Sequence, residues 1–252
     1  MKFNPVGVCI YCGAVDGLTR EHIVPFGLSG TAVLQDASCR DCARITSRFE
    51  LQVLRGAMRD VRVIRKLRSR SNHANAPQTQ RIRIRRNGIR ETVQLPLEEY
   101  PVLLHFPIFA QPGVLIGHTG TGIQLTGFVT IQFGPRPELV AAKLGAQEIT
   151  WDTQPDHPIE FAKMIGKIGY AMAVAQGVLD ITEHRPEIVA SLLGELDEIG
   201  RWVGTAPGPF RKHPAGTLHR IDTQQNLTNG RIAVEIQLFA DSDSPTYVVV
   251  LR

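Results

Sequence analysis

No cysteine lies beyond residue 42, and no apolar run approaches the roughly 18 residues that a membrane-spanning helix requires. The opening residues, Met1-Lys2-Phe3-Asn4-Pro5, contain no apolar leader. These absences exclude the disulfide-stapled secreted scaffold, whose cysteines are spread through a short chain. They also argue against a membrane partner, and the expected location is the cytoplasm. No internal repeat or low-complexity segment is present. The glycine-rich stretch Gly117–Gly122 lacks the Lys-Ser/Thr that would make it a phosphate-binding loop, so it reads as a turn. His105, His118, His157, His184, His213 and His219 show no metal-ligand spacing and read as structural or surface residues.

What is present is unevenly distributed. The chain has 252 residues, 43% of them hydrophobic, enough for a real core in one large domain or two smaller ones. Residues 1–90 carry 17 Lys and Arg against 6 Asp and Glu, a net +11; residues 91–252 carry 11 against 18, a net −7. A basic first part suggests a polyanionic partner, and an acidic remainder suggests a different task. The polar, turn-rich stretch Ser71–Pro77 sets a boundary near residue 75, giving segments 1–75 and 76–252.

Periodicity predicts a helix over 40–68, with Leu51, Leu54, Met58, Val61 and Ile64 on one face, although Gly56 weakens it. Residues 81–95 alternate around Asn87-Gly88, the signature of a hairpin with a type I′ turn. Further strands are expected at 101–106, 124–133, 217–222, 231–239 and 246–251. Helices are expected at 158–179 and 186–202. Gly166, Gly169, Ala171, Ala173 and Ala175 make the first of these thin-walled and suited to close packing. Strands, then helices, then strands, without regular βαβ alternation, imply an α+β fold with mainly antiparallel strands in the larger segment.

The chemistry concentrates at the start. Cys9-Ile-Tyr-Cys12 and Cys39-Arg-Asp-Cys42 are two C-x2-C knuckles, and four thiolates suit a structural, tetrahedral zinc ion. The 26 residues between the knuckles exceed the common ribbon spacing, so something is inserted, and it includes Glu21-His22. The combination C-x2-C, Glu-His-Ile-x-Pro and Ala-Ser-C-x2-C resembles the HNH (ββα-metal) endonuclease family over about residues 6–50. The segment Phe161–Tyr170 is similar to a helix of uncharacterised bacterial HNH proteins.

The resemblance implies a zinc-bound ββα module that hydrolyses phosphodiester bonds in DNA or RNA. His22 would be the general base, Glu21 a ligand of a catalytic Mg²⁺ or Mn²⁺, and the zinc purely structural. Two positions depart from the family pattern: Thr31 stands where Asn is usual, and Ala43 stands where a metal-ligating Asn or His is usual. Thr46 or Glu50, on the helical face that runs from Ala43, would have to complete the metal site.

Arg55, Arg59, Arg62, Arg65, Lys66, Arg83 and Arg85 would contact phosphates, most simply those of double-stranded DNA. Aromatics are scarce here, which gives little support to single-strand recognition by stacking. The acidic segment would regulate, target or oligomerise the basic head, through a regulatory protein or a second copy. By fold-level analogy that is the plan of a host-defence effector. The competing expectation is a catalytically inactive, zinc-dependent nucleic-acid-binding scaffold or regulator.

Overall fold

A computed structural model describes residues 3–69, 78–152, 154–181, 185–210, 212–226 and 228–251. The expected linker at 71–77 and His184 lie outside the described residues. The first knuckle is a tight turn in which Gly13 N–H donates to Cys9 O, with Gly13 in the left-handed region at φ 77°. Two antiparallel strands follow, β1 (Leu18–His22) and β2 (Val33–Cys39). A short 3-10 turn at Phe26–Leu28 lies between them.

The pairing slips after Thr19: Thr19 faces Ser38, but Glu21 faces Leu34. Asp36, at φ 48°, sits in the extra residues of this bulge. The carbonyls of Gln35 and Asp36 accept the amides of Val6 and Gly7 instead. A bulge re-aims the side chains beside it, and here Glu21 turns inward to 6% exposure.

Helix α1 (Arg40–Arg55) starts from the second knuckle and buries Cys42, Thr46, Phe49, Val53 and Leu54 along one face. It ends at Gly56, and α2 (Arg59–Ile64) restarts after a turn. The single helix expected over 40–68 is therefore two. The backbone leaves the helical region at Gly56, φ −86° and ψ −124°, and a Cβ there would lie 2.8 Å from Gln52 O, Pro155 O and His157 Cδ2, so the position takes only glycine. The hairpin β3 (Thr79–Arg86) and β4 (Ile89–Pro96) forms as expected, with Asn87 and Gly88 both at positive φ.

Strand β5 (Val102–Phe109), helix α3 (Gly113–Ile116) and strand β6 (Leu125–Phe133) come next. Helix α4 (Pro137–Leu144) and strand β7 (Glu148–Trp151) follow. The longest helix is α5 (Pro158–Ala175). The helix expected over 186–202 is broken at Gly194, φ 78°, into α6 (Ile188–Leu193) and α7 (Ile199–Trp202). The chain then forms β8 (Val203–Thr205), β9 (His219–Gln225), β10 (Ile232–Leu238) and β11 (Thr246–Val250).

The strands make sheets β4-β3-β7 and β8-β11-β10-β9 and the pairs β1-β2 and β5-β6. Every pairing among the described residues is antiparallel. The protein is a mixed α+β chain, and no described helix is long and apolar enough to cross a membrane.

Helix α5 organises the interior, packing on α1, α6, α7 and the sheet of β8–β11. Its small residues allow this. A Cβ at Gly169 would stand 2.7 Å from Cβ of Val249 on β11. Gly169→Ala gains helix propensity but must push a branched carbon anchored to a sheet backbone. Overpacking wins, at a cost of about 1–3 kcal/mol, and thermal denaturation should show a drop of several degrees. A melting temperature equal to or above wild type would contradict this packing.

Buried residues from Cys9 to Leu251 form one hydrophobic cluster. Polar ties reinforce it across the residue-75 boundary. The Tyr170 hydroxyl donates to Ile10 O, and Arg65 makes a two-pronged pair with Asp241 at 2.6 and 3.4 Å. His219 Nε2–H donates to Leu28 O at 2.7 Å while its Nδ1 accepts from the Phe239 amide at 3.4 Å. Burial lowers the His219 pKa, in keeping with the neutral ring that this pair of bonds requires.

Candidate metal centre and the buried ion cluster beside it

Cys9 and Cys12 lie in the turn before β1, Cys39 ends β2 and Cys42 lies in the first turn of α1, and the pairing of Leu18 with Cys39 brings the two knuckles together. The Sγ atoms of Cys9, Cys12, Cys39 and Cys42 all lie within 4.8 Å of one another. Cys12 and Cys39 Sγ are 3.6 Å apart. Four sulfurs at about 2.3 Å from a tetrahedral ion would stand about 3.8 Å from each other, so the cluster has the size and donor chemistry for a metal such as zinc. Cys9 and Cys42 are buried, whereas Cys12 is exposed. Burial pushes the Cys42 thiol up, and ligation would have to draw off that proton. A metal there would compete with protons, and its affinity would fall as pH falls.

Behind the knuckles lies a feature that local sequence patterning did not suggest. Lys167, at the centre of α5, is 1% exposed. Its Nζ sits 2.5 Å from Glu21 Oε1 and 2.9 Å from Glu50 Oε1. It also donates to His22 O, and Ile23 O lies at 3.4 Å. Three elements thus supply one ion cluster: β1 through Glu21, α1 through Glu50, and α5 through Lys167. Burial alone would lower the lysine pKa, but Glu21 and Glu50 outweigh it and hold the ammonium above its ordinary value. Burial pushes the Glu21 carboxyl up, and Lys167 only partly offsets this.

Tyr11, between the first two cysteines, is fully buried near the same carboxylates, and its ring packs at 5.8 Å on Tyr170. Burial and then Glu21 and Glu50 push its hydroxyl pKa well up, so it stays protonated. The knuckle, the ion cluster and α5 form one packed unit.

Glu21 and Glu50 do converge on one cation position, as a shared metal site would require, but the cation there is the lysine ammonium. Thr46 is not aimed at it: its hydroxyl donates to Ala43 O at 3.3 Å, within α1. Ala43 offers no ligand. His22 ends β1, half-buried, with its ring edge-on to Phe26 at 5.6 Å.

Five of the seven cations assigned to phosphate have partners within the protein, although the pairs of Arg83 and Arg85 are solvent-exposed and would yield to a stronger anion. Arg59 pairs with Asp60 at 2.8 Å, Arg65 with Asp241 at 2.6 Å, Arg83 with Asp152 at 2.7 Å and Arg85 with Glu148 at 2.9 Å. Arg62 donates to Gly27 O at 2.7 Å and Leu54 O at 2.9 Å. Arg55 and Lys66 are exposed. Helical spacing identifies a face but cannot reveal an acceptor folded in from a distant part of the chain.

Lys167 carries no clear sequence signal: Glu160 and Lys163 lie on the same helical face, so its charge reads as part of a polar stripe.

No family model, curated protein or solved structure matches this chain.

Proposed function

We propose that the N-terminal unit is an HNH-type, zinc-stapled ββα module that serves as a nucleic-acid-binding scaffold without hydrolysing its ligand. The observation that carries this reading is Lys167. A metal-dependent nuclease needs carboxylate oxygens free to face a divalent ion. Here the space between Glu21 and Glu50 holds an ammonium fixed by a buried helix. Adding a doubly charged ion beside it would meet like-charge repulsion in a desolvated site. Ala43 points the same way. Zinc on Cys9, Cys12, Cys39 and Cys42 would hold the turn before β1 against the end of β2 and the start of α1 and take no part in chemistry.

The test is a supercoiled plasmid incubated with wild type or His22→Ala in Mg²⁺ or Mn²⁺. Both proteins should retard the plasmid and neither should nick it. Metal-dependent nicking by wild type that disappears in His22→Ala would overturn the scaffold reading.

One observation keeps a second reading open: Glu21 and Glu50 converge on a single cation position. If Lys167 withdraws, an endonuclease remains chemically accessible, with His22 as general base and Glu21 as the Mg²⁺ or Mn²⁺ ligand. Mn²⁺ raising the melting temperature of Lys167→Ala, but not of wild type, would favour it.

A further inference from the structure

The outward face of α1 carries a row of arginines, most of which lie outside the expected phosphate-binding set. Arg40, Arg44, Arg48 and Arg55 are all exposed. At about 100° per residue they fall within an arc of about 80°, and at 1.5 Å per residue they extend about 22 Å along the helix. Asp41 is the acidic residue on the exposed part of this helix, and its contact with Arg44 at 3.0 Å joins side chains 67% and 82% exposed. Such a pair is screened by solvent and yields readily to a stronger anion. At the C-terminal end of the ridge, Arg62 is lowered first by burial and then by the nearby charge of Arg55. Cations are therefore crowded there rather than neutralised.

We infer that the Arg40-Arg44-Arg48-Arg55 ridge of α1 is the surface that lies along the sugar-phosphate backbone of duplex DNA. The inference rests on the nucleic-acid-binding reading above and gives it a location. Three features select this partner. The charges form a straight row whose length is about two-thirds of one duplex turn. The exposed face offers one large apolar side chain, Leu51 at 42% exposure, too little to insert into a lipid surface. No aromatic residue of α1 is exposed, Phe49 being 5% exposed, so nothing stacks on unpaired bases. The contacts would go to phosphates and would be indifferent to sequence.

The experiment is fluorescence anisotropy with a labelled duplex of about two helical turns, titrated at several salt concentrations. Wild type is compared with Arg40→Gln/Arg44→Gln/Arg48→Gln/Arg55→Gln and with a control, Arg81→Gln/Arg90→Gln, on the exposed hairpin. The quadruple variant should bind more than tenfold more weakly. Its log–log salt slope should shrink by about 0.9 for each phosphate that is no longer neutralised, while its melting temperature stays unchanged. The control should bind nearly as wild type does. Unchanged affinity and slope in the quadruple variant, with wild type still binding, would overturn the ridge and leave the scaffold reading standing. No duplex binding by wild type, even at low salt, would overturn both. Equal or tighter binding to single strands or to phosphatidylserine vesicles would overturn the duplex assignment.

Discussion

Lys167→Met should destabilise the protein by about 3–5 kcal/mol, the cost of removing one partner from a buried ion cluster and leaving the other charges uncompensated. For a chain of this size that corresponds to a fall in melting temperature on the order of 10 °C. The lysine is 1% exposed, and Glu21 and Glu50 are held at 2.5 and 2.9 Å, so solvent cannot take over its role.

The pH dependence should also change. In wild type the lysine pKa is raised on folding, so its stabilisation is complete below the free-lysine value of about 10.4 and is lost only as pH rises towards the folded value. In Lys167→Met the attraction holding Glu21 down is gone, and burial raises its pKa further. A carboxyl whose folded pKa exceeds its unfolded one binds protons more tightly in the fold. The variant should therefore lose stability as pH rises from about 4.3 through the folded value, so that it is relatively better off in acid.

Denaturant unfolding across pH reads both effects. The variant Lys167→Met/Glu21→Gln/Glu50→Gln should recover most of the deficit, because a neutral cluster carries no stranded charge. If Lys167→Met lies within 1 kcal/mol of wild type (~1 kcal/mol being the net worth of an ordinary hydrogen bond), the cluster has no structural role, and a divalent ion at Glu21 becomes tenable again.

Removing zinc should have a comparably large effect on a smaller region. Structural zinc contributes on the order of 10–16 kcal/mol of apparent binding free energy in small zinc modules, and that energy becomes folding energy wherever the site does not exist unfolded. The knuckle around Cys9 would depend on it. Its other ties to β2 are the amides of Val6, Gly7 and Ile10 on Gln35, Asp36 and Ala37 at 2.9–3.0 Å. Chelation, or Cys39→Ser, should therefore abolish amide-exchange protection from the first knuckle through β2 and the first turns of α1, and leave β9–β11 protected. Elemental analysis should find one zinc per chain in wild type and none in the variant. A wild-type protein that is folded, equally protected and free of zinc would refute the metal centre.

These two sites differ in how they are encoded. The cysteine knuckles are legible because a two-residue gap is itself a local geometric statement: one turn presents two sulfurs. The hairpin at 79–96 is legible for the same kind of reason, since Asn87-Gly88 specifies a turn whatever surrounds it. The close packing of α5 is foreshadowed by its glycines and is met by Val249. The break at Gly56 is half legible: the glycine weakens the helix locally, but the close approach of Pro155 and His157 that keeps a side chain out comes from another part of the chain. The basic stripe misleads in the same way. Arg65 looks like a phosphate ligand until Asp241 arrives beside it, whereas Arg40, Arg44 and Arg48 have no such long-range acidic neighbour among the described residues and remain on the surface.

Residue order alone specifies the elements whose instructions are local: two paired-cysteine turns, one tight hairpin, an amphipathic helix after the second knuckle, and an α+β order of strands and helices. Tertiary structure alone decided which charges are spent and which are available. Electrostatic pairing acts through space, and its strength depends on burial and on the distance between side chains, neither of which is written in local spacing. The Glu21-His22 pair is the clearest case. The family resemblance that it carries implies a divalent ion beside Glu21, and the fold places the ammonium of Lys167 there.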